Sequence, residues 1–540
     1  MTSAELLNRR RFLRTAAGMG AGYSVFNTLF DLRLINNAVA AVNVADYKAL
    51  ICLFLAGGND GANMIVPAPA DPRYAANYKP TRGPRLALWE DQAAATAATQ
   101  GTTNPNNYWA VPLSTANTGA DAYAVHNVMN IGTQGASTFP SIRSLFDAGK
   151  VAFVVNTGVL VEPMTRAEFR SGTKRRPPQL FSHNDQVTQW QTSVPDQISR
   201  TGWGGRTVDL MRQQLALEGV PPGSISLSIS LAGNNTWEVG DVVNQFQVST
   251  GGAVSFTNYL PANGRAGQNA TTVARSVLID QILRDPANGG DTALNAQRTK
   301  LALKDFKDVN ERSLYNGASL STALTRLRTG QPESAAGVAV DTAFGITVPN
   351  DGGTAWTNAY NALSDLEKQL HTIARIIAER DFLGMRRQIF FCQVGGYDTH
   401  GDQPVSHAGL LTTLNRAMGR FYQATQNLSV ADKCTTFTAA DFGRTFKSNS
   451  LGTDHAWGNH HMVMGGAVSG GRLFGTYPTL VLGGPDDTDN SGPTGRFIPT
   501  TSTDQYAATL ARWFGLGEAE LDTVFPNLHR FASRDVGFMG

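Results

Sequence analysis

Cysteine and charge are both scarce in this chain of 540 residues. The three cysteines, Cys52, Cys392 and Cys434, each lie within an apolar run typical of a buried strand, so we expect them to be inert packing residues. Three cysteines also cannot build a disulfide framework. Only 16% of the residues are charged, and the formal net charge is +2. Beyond the N-terminal region the sequence has one basic cluster, at residues 174–176. The sequence therefore gives no basis for a nucleic-acid partner.

Long apolar runs are missing as well. The stretch Thr15–Phe30 near the N-terminus is rich in glycine and alanine and is closed by Asp31. A permanent membrane anchor needs about 20 consecutive apolar residues. We therefore predict no permanent membrane anchor in this region.

The same stretch has the flanks of a twin-arginine signal peptide. Arg9 and Arg10 stand ahead of it, and the small-x-small pattern Ala38–Ala40 follows it. We predict a signal peptide over residues 1–40, cleaved after Ala40, and export to the periplasm or beyond by the twin-arginine machinery. The alternative is an ordinary amphipathic helix with a basic start.

Hydrophobic residues make up 41% of the chain, which is enough for a large core. Continuous apolar runs predict buried strands at Ala49–Leu55, Val151–Val155, Ile389–Val394, Cys434–Thr438, His461–Met464 and Thr479–Leu482. Apolar residues three and four positions apart predict helices at Ser141–Ala148, Thr357–Arg380 and Val405–Gln426. Alternating strands and helices are typical of an α/β fold, so we predict a doubly wound, mostly parallel sheet.

The middle of the chain differs from the rest. Residues 232–353 are polar and rich in glycine and asparagine, with an amphipathic portion at Thr271–Leu327, and they contain no histidine. We interpret them as an insertion or cap between the two parts of one domain, residues 47–231 and 354–540.

Polar side chains follow several of the predicted strands. Asp60 follows the first strand, Asp398 and His400 follow the run IFFCQVGG, and Asp441 follows CTTFTAA. A further group, Thr453–His461, lies ahead of the run HMVMGG. We expect these groups to converge on one edge of the sheet as oxygen and nitrogen ligands without a thiolate. Such a set suits zinc, manganese, calcium or magnesium, and the imidazoles favour a transition metal.

A simpler interpretation exists for two of these carboxylates. Asp60, beside Gly-Gly-Asn, is also a good turn residue, because its side chain can bond its own backbone. Asp441 is also a good helix cap.

Three longer strings carry a family resemblance: FLAGGNDGANMIVP, GGYDTHGDQ and DFGRTFKSNSLGTDHAWGNHHMVMGGAVSGGRLFG. They resemble a twin-arginine-exported family of bacterial proteins known as domain of unknown function 1501, placed in the alkaline phosphatase and sulfatase superfamily. The resemblance implies a sheet with a two-metal site at its carboxyl edge. It also implies hydrolysis of phosphate or sulfate esters through a covalent intermediate.

The resemblance also implies which residues hold the metals, Asp60 and Asp441 for one ion and Asp398 and His400 for the other. His455 completes this set, and Asp454 and His460 are further candidates. One departure matters: the superfamily usually has a histidine directly after the aspartate matched by Asp441, and here Phe442 takes its place. One metal position is therefore expected to be poorer in ligands.

A nucleophile is expected at a helix start after the second strand, where backbone N–H groups stabilise a developing anion. Thr165 is the candidate nucleophile, and Arg166 is the candidate for holding an anionic substrate oxygen. The alternative is that Thr165 merely caps that helix.

Two functions from different classes follow. The first is an exported metal-dependent hydrolase of phosphate or sulfate esters, acting on a small molecule or glycan with Thr165 as nucleophile. The second is an exported binding or assembly protein that keeps the fold and a structural metal without turnover. A redox enzyme fits less well, because no glycine-rich dinucleotide fingerprint follows the first strand.

Overall fold

The structure is a computed structural model that describes residues 46–99, 106–114, 122–221, 223–253, 267–284 and 313–540. The predicted signal peptide at residues 1–40 lies outside the described residues. Within them, no helix combines the length and the apolar character needed to cross a membrane.

A ten-stranded sheet forms the centre of the fold. The strands within the described residues, in chain order, are β1 (Lys48–Leu55), β2 (Ile65–Pro67), β3 (Ala110–Pro112), β4 (Tyr123–His126), β5 (Thr133–Gln134), β6 (Ser137–Thr138), β7 (Val151–Gly158), β8 (Ser228–Ser230), β9 (Phe246–Ser249), β10 (Gly252–Ala253), β11 (Arg387–Val394), β12 (Cys434–Ala440), β13 (Asn459–Gly465), β14 (Leu473–Phe474) and β15 (Thr501–Ser502). The main sheet has the order β10-β9-β8-β11-β1-β12-β13-β7-β14, and β15 also pairs with β7. Strands β2, β4 and β3 form a small second sheet, and β5 pairs with β6.

Most neighbouring strands of the main sheet are parallel, with β1 between β11 and β12. In that register Ile51 lies opposite Phe390 on one side and Thr436 on the other. Consecutive residues along β1, β7 and β12 are buried, so both faces of the sheet are covered. The prediction of an α/β fold with a mostly parallel sheet is confirmed.

Strand β13 is an exception that positions the functional site. It runs antiparallel to both of its neighbours, β12 and β7. Residues just before a parallel strand lie at the amino edge of the sheet, and residues just after it lie at the carboxyl edge. Because β13 is reversed, the segment Thr453–Asn459 ahead of it reaches the same edge as Asp398 and Asp441. Asp398, His400, Asp441 and His455 therefore meet at one edge, and their meeting depends on an antiparallel strand inside the sheet. Asp60 and His460, which were expected there too, do not join them.

Helices surround the sheet. In chain order they are Gly61–Met64, Lys79–Leu86, Gln92–Thr99, Ile142–Asp147, Arg166–Ser171, His183–Thr192, Trp203–Leu217, Ala270–Arg284, 313–326, Ser334–Ala343, Thr354–Asn361, Asp365–Ala378, Gln403–Asn427, Thr503–Phe514 and Glu518–Val524. The predicted helices at Ser141–Ala148 and Val405–Gln426 agree with this list. The predicted helix Thr357–Arg380 is instead two helices, because Ser364 starts a new one with a capping box to Glu367.

The strand predicted at Thr479–Leu482 is wrong. These residues form a loop in which Leu480 has a φ of +60°, outside the extended region. The loop is held instead by Asp486, which accepts hydrogen bonds from the backbone N–H and hydroxyl of Thr479 at 2.7 Å each. Apolar composition alone does not distinguish a strand from this loop, in which only Leu480 is buried.

Part of the polar middle segment adds to the main domain. Strand β9 lies parallel to β8 in the main sheet. Val340 and Phe344 join the same apolar core as β1 and β11. The described part of residues 232–353 therefore contributes a strand and core side chains to the fold.

The three cysteines are free and buried, as the sequence predicts. Burial raises the pKa of the Cys434 thiol to about 12 and also raises the pKa values of Cys52 and Cys392. They therefore stay protonated and unreactive at neutral pH.

Candidate metal centre

Three imidazoles and one carboxylate meet at the carboxyl edge of the sheet. Asp398 and His400 follow β11, and His455 lies in the loop ahead of β13. His183 is the first residue of the helix His183–Thr192. His183, Asp398 and His455 each offer a ligand atom within 4.8 Å of the others.

The inward atoms of this cluster are the three imidazole Nε2 nitrogens. His455 Nε2 lies 3.2 Å from His183 Nε2 and 3.0 Å from His400 Nε2. The carboxylate of Asp398 places Oδ1 3.0 Å from His400 Nε2 and 3.2 Å from His455 Nε2. Its Oδ2 lies 3.6 Å from His183 Nε2.

Each imidazole has an outward partner on its other nitrogen. His183 Nδ1 lies 2.6 Å from Asp441 Oδ2, and His400 Nδ1 lies 3.1 Å from Asp454 Oδ1. Ionised carboxylates can only accept hydrogen bonds, so both Nδ1 atoms carry hydrogen.

His455 follows the same rule through a backbone group. Its Nδ1 donates to the carbonyl oxygen of Phe181 at 2.9 Å. Burial, together with the charges of His183 and Arg444, lowers the pKa of His455, and the hydrogen bond to Phe181 only partly opposes this. His455 is therefore neutral at neutral pH, with an Nε2 lone pair that faces the cluster.

These contacts make the centre short of positive charge. With hydrogen on Nδ1, an imidazole that carries no second proton directs its Nε2 lone pair towards the other nitrogens and towards a carboxylate. Such a set repels itself unless a proton or a cation lies among the nitrogens. Metal-binding histidines typically show this pattern, in which the outer N–H is given to a carboxylate or carbonyl and the other nitrogen binds the ion.

The spacing of the inward atoms also fits a metal ion. Zinc binds nitrogen and oxygen ligands at about 2.0–2.1 Å in a tetrahedron, which places two ligand atoms about 3.3–3.4 Å apart. The five separations run from 3.0 to 3.6 Å, two between nitrogens, two to Asp398 Oδ1 and one to Asp398 Oδ2. His183, His455 and Asp398 therefore fit a zinc-type ion, and His400 lies beside Asp398 and His455 as a candidate for a further ligand.

Arg444 fixes the carboxylate of the centre. Its fully buried guanidinium donates through Nη1 to Asp398 Oδ1 at 2.5 Å and to the carbonyl of Gly57 at 3.3 Å. Partial burial opposes ionisation of Asp398, but Arg444 and the neighbouring His400 and His183 lower its pKa overall. Asp398 is therefore ionised over the physiological pH range.

Phe442 closes one side of the centre. Its ring packs 4.8 Å from the ring of His183 and 4.6 Å from that of His455, centroid to centroid. Gly58 has a φ of +84°, and a Cβ there would lie 2.6 Å from the Phe442 ring. The opposite side is open, because the side chains of Asp398 and His400 are 42% and 45% exposed.

Several predicted ligands take other roles. Asp441 and Asp454 contact the imidazoles from outside and orient His183 and His400 rather than joining the inward atoms. Asp441 also accepts the backbone N–H of Gly57 at 2.9 Å. They serve as outer partners because their oxygens meet the Nδ1 side of each ring.

Asp60 and His460 also stand apart from the described cluster. Asp60 is fully buried and pairs with Arg82 and Gln403, so its negative charge is already balanced by a guanidinium. His460 is buried, and its Nδ1 accepts the backbone N–H of Asn156 at 3.0 Å. Burial lowers the pKa of His460 to about 3, so it is a neutral packing residue.

Thr165 caps a helix, which is the alternative that the sequence left open. Its hydroxyl accepts the backbone N–H of Glu168 and donates to the Glu168 carboxylate, completing a capping box. Arg166 donates to the carbonyls of Gly483 and Asp489 at 2.6 Å each. The Thr165 hydroxyl serves as a helix cap and the Arg166 guanidinium binds two distant backbone carbonyls, so the structure gives no support to a catalytic role for either.

Sequence reasoning missed the roles of His183 and Arg444. His183 comes from a segment 258 residues away from Asp441 in the sequence and lies beside its carboxylate in the structure. The only sequence signal was the polar string Phe181–Gln186, which has no recognisable ligand spacing. Arg444 stood in the DFGR string without an assigned partner.

Comparisons with known proteins agree with part of this picture. Among curated proteins, none matches the chain. A crystal structure of Ps i-CgsB in complex with k-i-k-neocarrahexaose is similar over 91% of this chain and 77% of that chain, with 9% sequence identity and a TM-score of 0.30. A likeness of that size supports no conclusion about fold or function. Residues 242–487 match the family described as protein of unknown function (DUF1501), and this match supports the family that the motifs indicate.

Proposed function

We propose that the cluster binds a divalent transition-metal ion, zinc in the first place, and that the protein uses it to hydrolyse phosphate or sulfate esters. The observation that carries the proposal is the orientation of the three imidazoles. Every Nδ1 is bonded outward and every Nε2 points inward beside Asp398.

Neighbouring groups fix the side chains that would bind the ion, and the site is partly open to solvent. An ion bound by His183, His455 and Asp398 would supply Lewis acidity for polarising an ester oxygen and for making water a stronger acid. Asp441, Asp454 and the Phe181 carbonyl keep the imidazoles in the ligand tautomer. Arg444 holds Asp398, and Phe442 shields one side from water.

Water is the proposed nucleophile, since Thr165 is used as a helix cap. Its oxygen attacks phosphorus or sulfur, and the bond from that atom to the ester oxygen breaks. The alcohol leaves with one proton of the water, and the acid product keeps the other. This path needs no covalent intermediate on the protein.

The substrate class rests on the resemblance of the motifs to the alkaline phosphatase and sulfatase superfamily. The exposed edge at Asp398 and His400 supports it, because an ester on a small molecule or a glycan can approach there. We also propose export by the twin-arginine machinery and a periplasmic or secreted location. Replacing Arg9 and Arg10 by Lys tests this, and normal export of such a variant would refute it.

Metal content tests the centre directly. Purified protein should contain zinc or another divalent transition metal by elemental analysis, and His183→Ala and His455→Ala should lose it. The matched control is His529→Ala, since His529 is exposed and bonds only the local Pro526 carbonyl. Protein without bound metal under all loading conditions would refute the proposal.

Turnover distinguishes the hydrolase from the binding or assembly protein. Aryl phosphates, phosphodiesters and aryl sulfates should be hydrolysed by the loaded protein, and His183→Ala should remove the activity. The alternative rests on one observation, that the hydroxyl of Thr165, the nucleophile predicted from the sequence, serves as a helix cap. Full metal occupancy without turnover on any ester would leave the binding protein as the answer.

A further inference from the structure

A fully buried ion pair lies behind the candidate metal centre. Asp60 Oδ2 accepts hydrogen bonds from Arg82 Nη2 and Gln403 Nε2, and both charged side chains are completely buried. Arg82 Nη1 also donates to the carbonyls of Thr445 and Phe446, at 3.2 and 3.1 Å. The guanidinium is therefore anchored from three directions.

The pair continues as a chain of hydrogen bonds towards the centre. The oxygen of the Gln403 side chain accepts the hydroxyl of Thr453 at 2.7 Å. That hydroxyl accepts Arg444 Nε at 3.3 Å, and the Thr453 carbonyl accepts Arg444 Nη2. Arg444 in turn donates to Asp398.

This arrangement disagrees with the two-metal site that the resemblance implies. Asp60 and Asp441 would hold one ion, but internal partners already use both oxygens of Asp441 and the Oδ2 of Asp60, which leaves only Asp60 Oδ1 without a hydrogen bond. Asp441 takes the Gly57 N–H and His183. An ion on the remaining oxygen of Asp60 would share a fully buried carboxylate with a fully buried guanidinium, and the two cations would repel without screening by water. Asp398 differs, because its side chain is 42% exposed and water can screen an ion there from Arg444.

We infer that the centre takes a single divalent ion, and that Arg82 is the resident cation in place of a second one. Asp60, Gln403 and Thr453 then act as positioning residues. They hold the Arg444 guanidinium where it orients Asp398 towards the ion. This inference rests on the proposed metal centre. It adds the number of ions bound and the hydrogen bonds that hold Arg444 in place.

The first experiment counts ions. Metal-stripped protein is titrated with Zn²⁺ and separately with Mn²⁺, and bound metal is measured by elemental analysis after gel filtration. One ion per chain is expected for each. Two ions per chain would overturn the inference while leaving the proposed hydrolase intact.

The second experiment breaks the chain at one hydroxyl. Thr453→Val keeps the shape of the side chain but leaves Gln403 and Arg444 Nε without that partner. The Kd for Zn²⁺, measured by competition with a chromophoric chelator, should rise about ten- to a hundredfold, as is typical when support of a ligand is lost. Thr453→Ser retains the hydroxyl and should restore most of the affinity.

A matched control separates positioning from general stability. Thr425 is also buried, and its hydroxyl donates only to the Tyr422 carbonyl, at 2.7 Å, within its own helix. Thr425→Val should lower the Tm without changing the Kd for Zn²⁺. Should Thr453→Val not fold, Gln403→Met breaks the same chain one residue earlier and is measured instead.

The outcomes separate this inference from the proposed function. If the protein binds one ion but the Kd for Zn²⁺ is unchanged in Thr453→Val and Gln403→Met, the positioning role of these residues is refuted. The proposed hydrolase function is not affected by that result. Absence of any bound ion in the unaltered protein would overturn both.

Discussion

Asp441→Asn should weaken metal binding more than Asp441→Ala does, although asparagine is the closer match in shape. Asp441 Oδ1 accepts the Gly57 N–H at 2.9 Å, and this bond would fix the asparagine oxygen at the Oδ1 position. The amide NH₂ would then face His183 Nδ1, where Oδ2 now lies at 2.6 Å. An NH₂ group can only donate, so His183 would carry its hydrogen on Nε2 and lose the lone pair needed for the ion.

The magnitude follows from the bond that is reversed. A hydrogen bond to a charged group contributes about 1.5–3 kcal/mol, and each 1.4 kcal/mol is about tenfold in Kd. We expect the Kd for Zn²⁺ to rise about tenfold in Asp441→Ala, where His183 can still take the correct tautomer. In Asp441→Asn we expect about a hundredfold, because the wrong tautomer is held in place.

Chelator competition with Zn²⁺ or Co²⁺ measures both variants. Asp341→Asn is the control, because Asp341 forms another buried bond to a histidine, with Oδ1 2.7 Å from His371 Nε2, outside the cluster. It should lower stability and leave the Kd unchanged. Tighter binding by Asp441→Asn than by Asp441→Ala would refute the tautomer argument.

Three further predictions concern stability and the shielded side of the centre. Burial opposes ionisation of Glu367, but hydrogen bonds, first from Arg416, lower the pKa of Glu367 overall. The ionised carboxylate therefore contributes fully to stability above the pKa of the unfolded chain, about 4.3, and this contribution is lost as the pH falls below that value. Glu367→Gln should therefore lower the urea midpoint at pH 7 and reduce the difference in midpoint between pH 7 and pH 3.5. Gly58→Ala should cost roughly 1–3 kcal/mol of stability, since its φ is +84°, and should weaken Zn²⁺ binding by displacing Phe442; unchanged Zn²⁺ affinity would contradict this role of the ring. Thr165→Ala should cost about 0.5–2 kcal/mol through the lost cap, visible in thermal melts, with turnover intact, and loss of turnover in a folded variant would restore Thr165 as a nucleophile.

Strands of the sheet could be predicted from the sequence where burial on both faces requires a continuous run of apolar residues. Strand β1 is such a run, and so are β11 and β12. The direction of β13 was not predictable, because an apolar run has the same composition in both directions. The position of His455 at the carboxyl edge depends on that direction, so the expected convergence had no secure basis in the sequence alone.

The site residues also fall into those that the sequence predicts and those that it does not. Asp398 and His400 directly follow a predictable strand, and the structure brings them together with His455. The part played by His183 depends on packing between segments hundreds of residues apart, which no local spacing records. The same holds for Asp60, because its pairing with Arg82 and Gln403 joins three separate segments.

The place of β13 in the sheet also constrains the order of events during synthesis. Strand β7 pairs with β13, β14 and β15, all of which are made about 300 residues after it. At roughly 5–20 residues per second, the apolar strand VAFVV waits about 15–60 seconds for its partners. During that interval the nascent chain exposes an unpaired strand edge, and a chain that stops before residue 459 never covers it. We therefore expect the nascent chain to need chaperones at this edge, and the proposed centre is complete only after about five-sixths of the chain has been made, because His455 is the last of its residues to be synthesised.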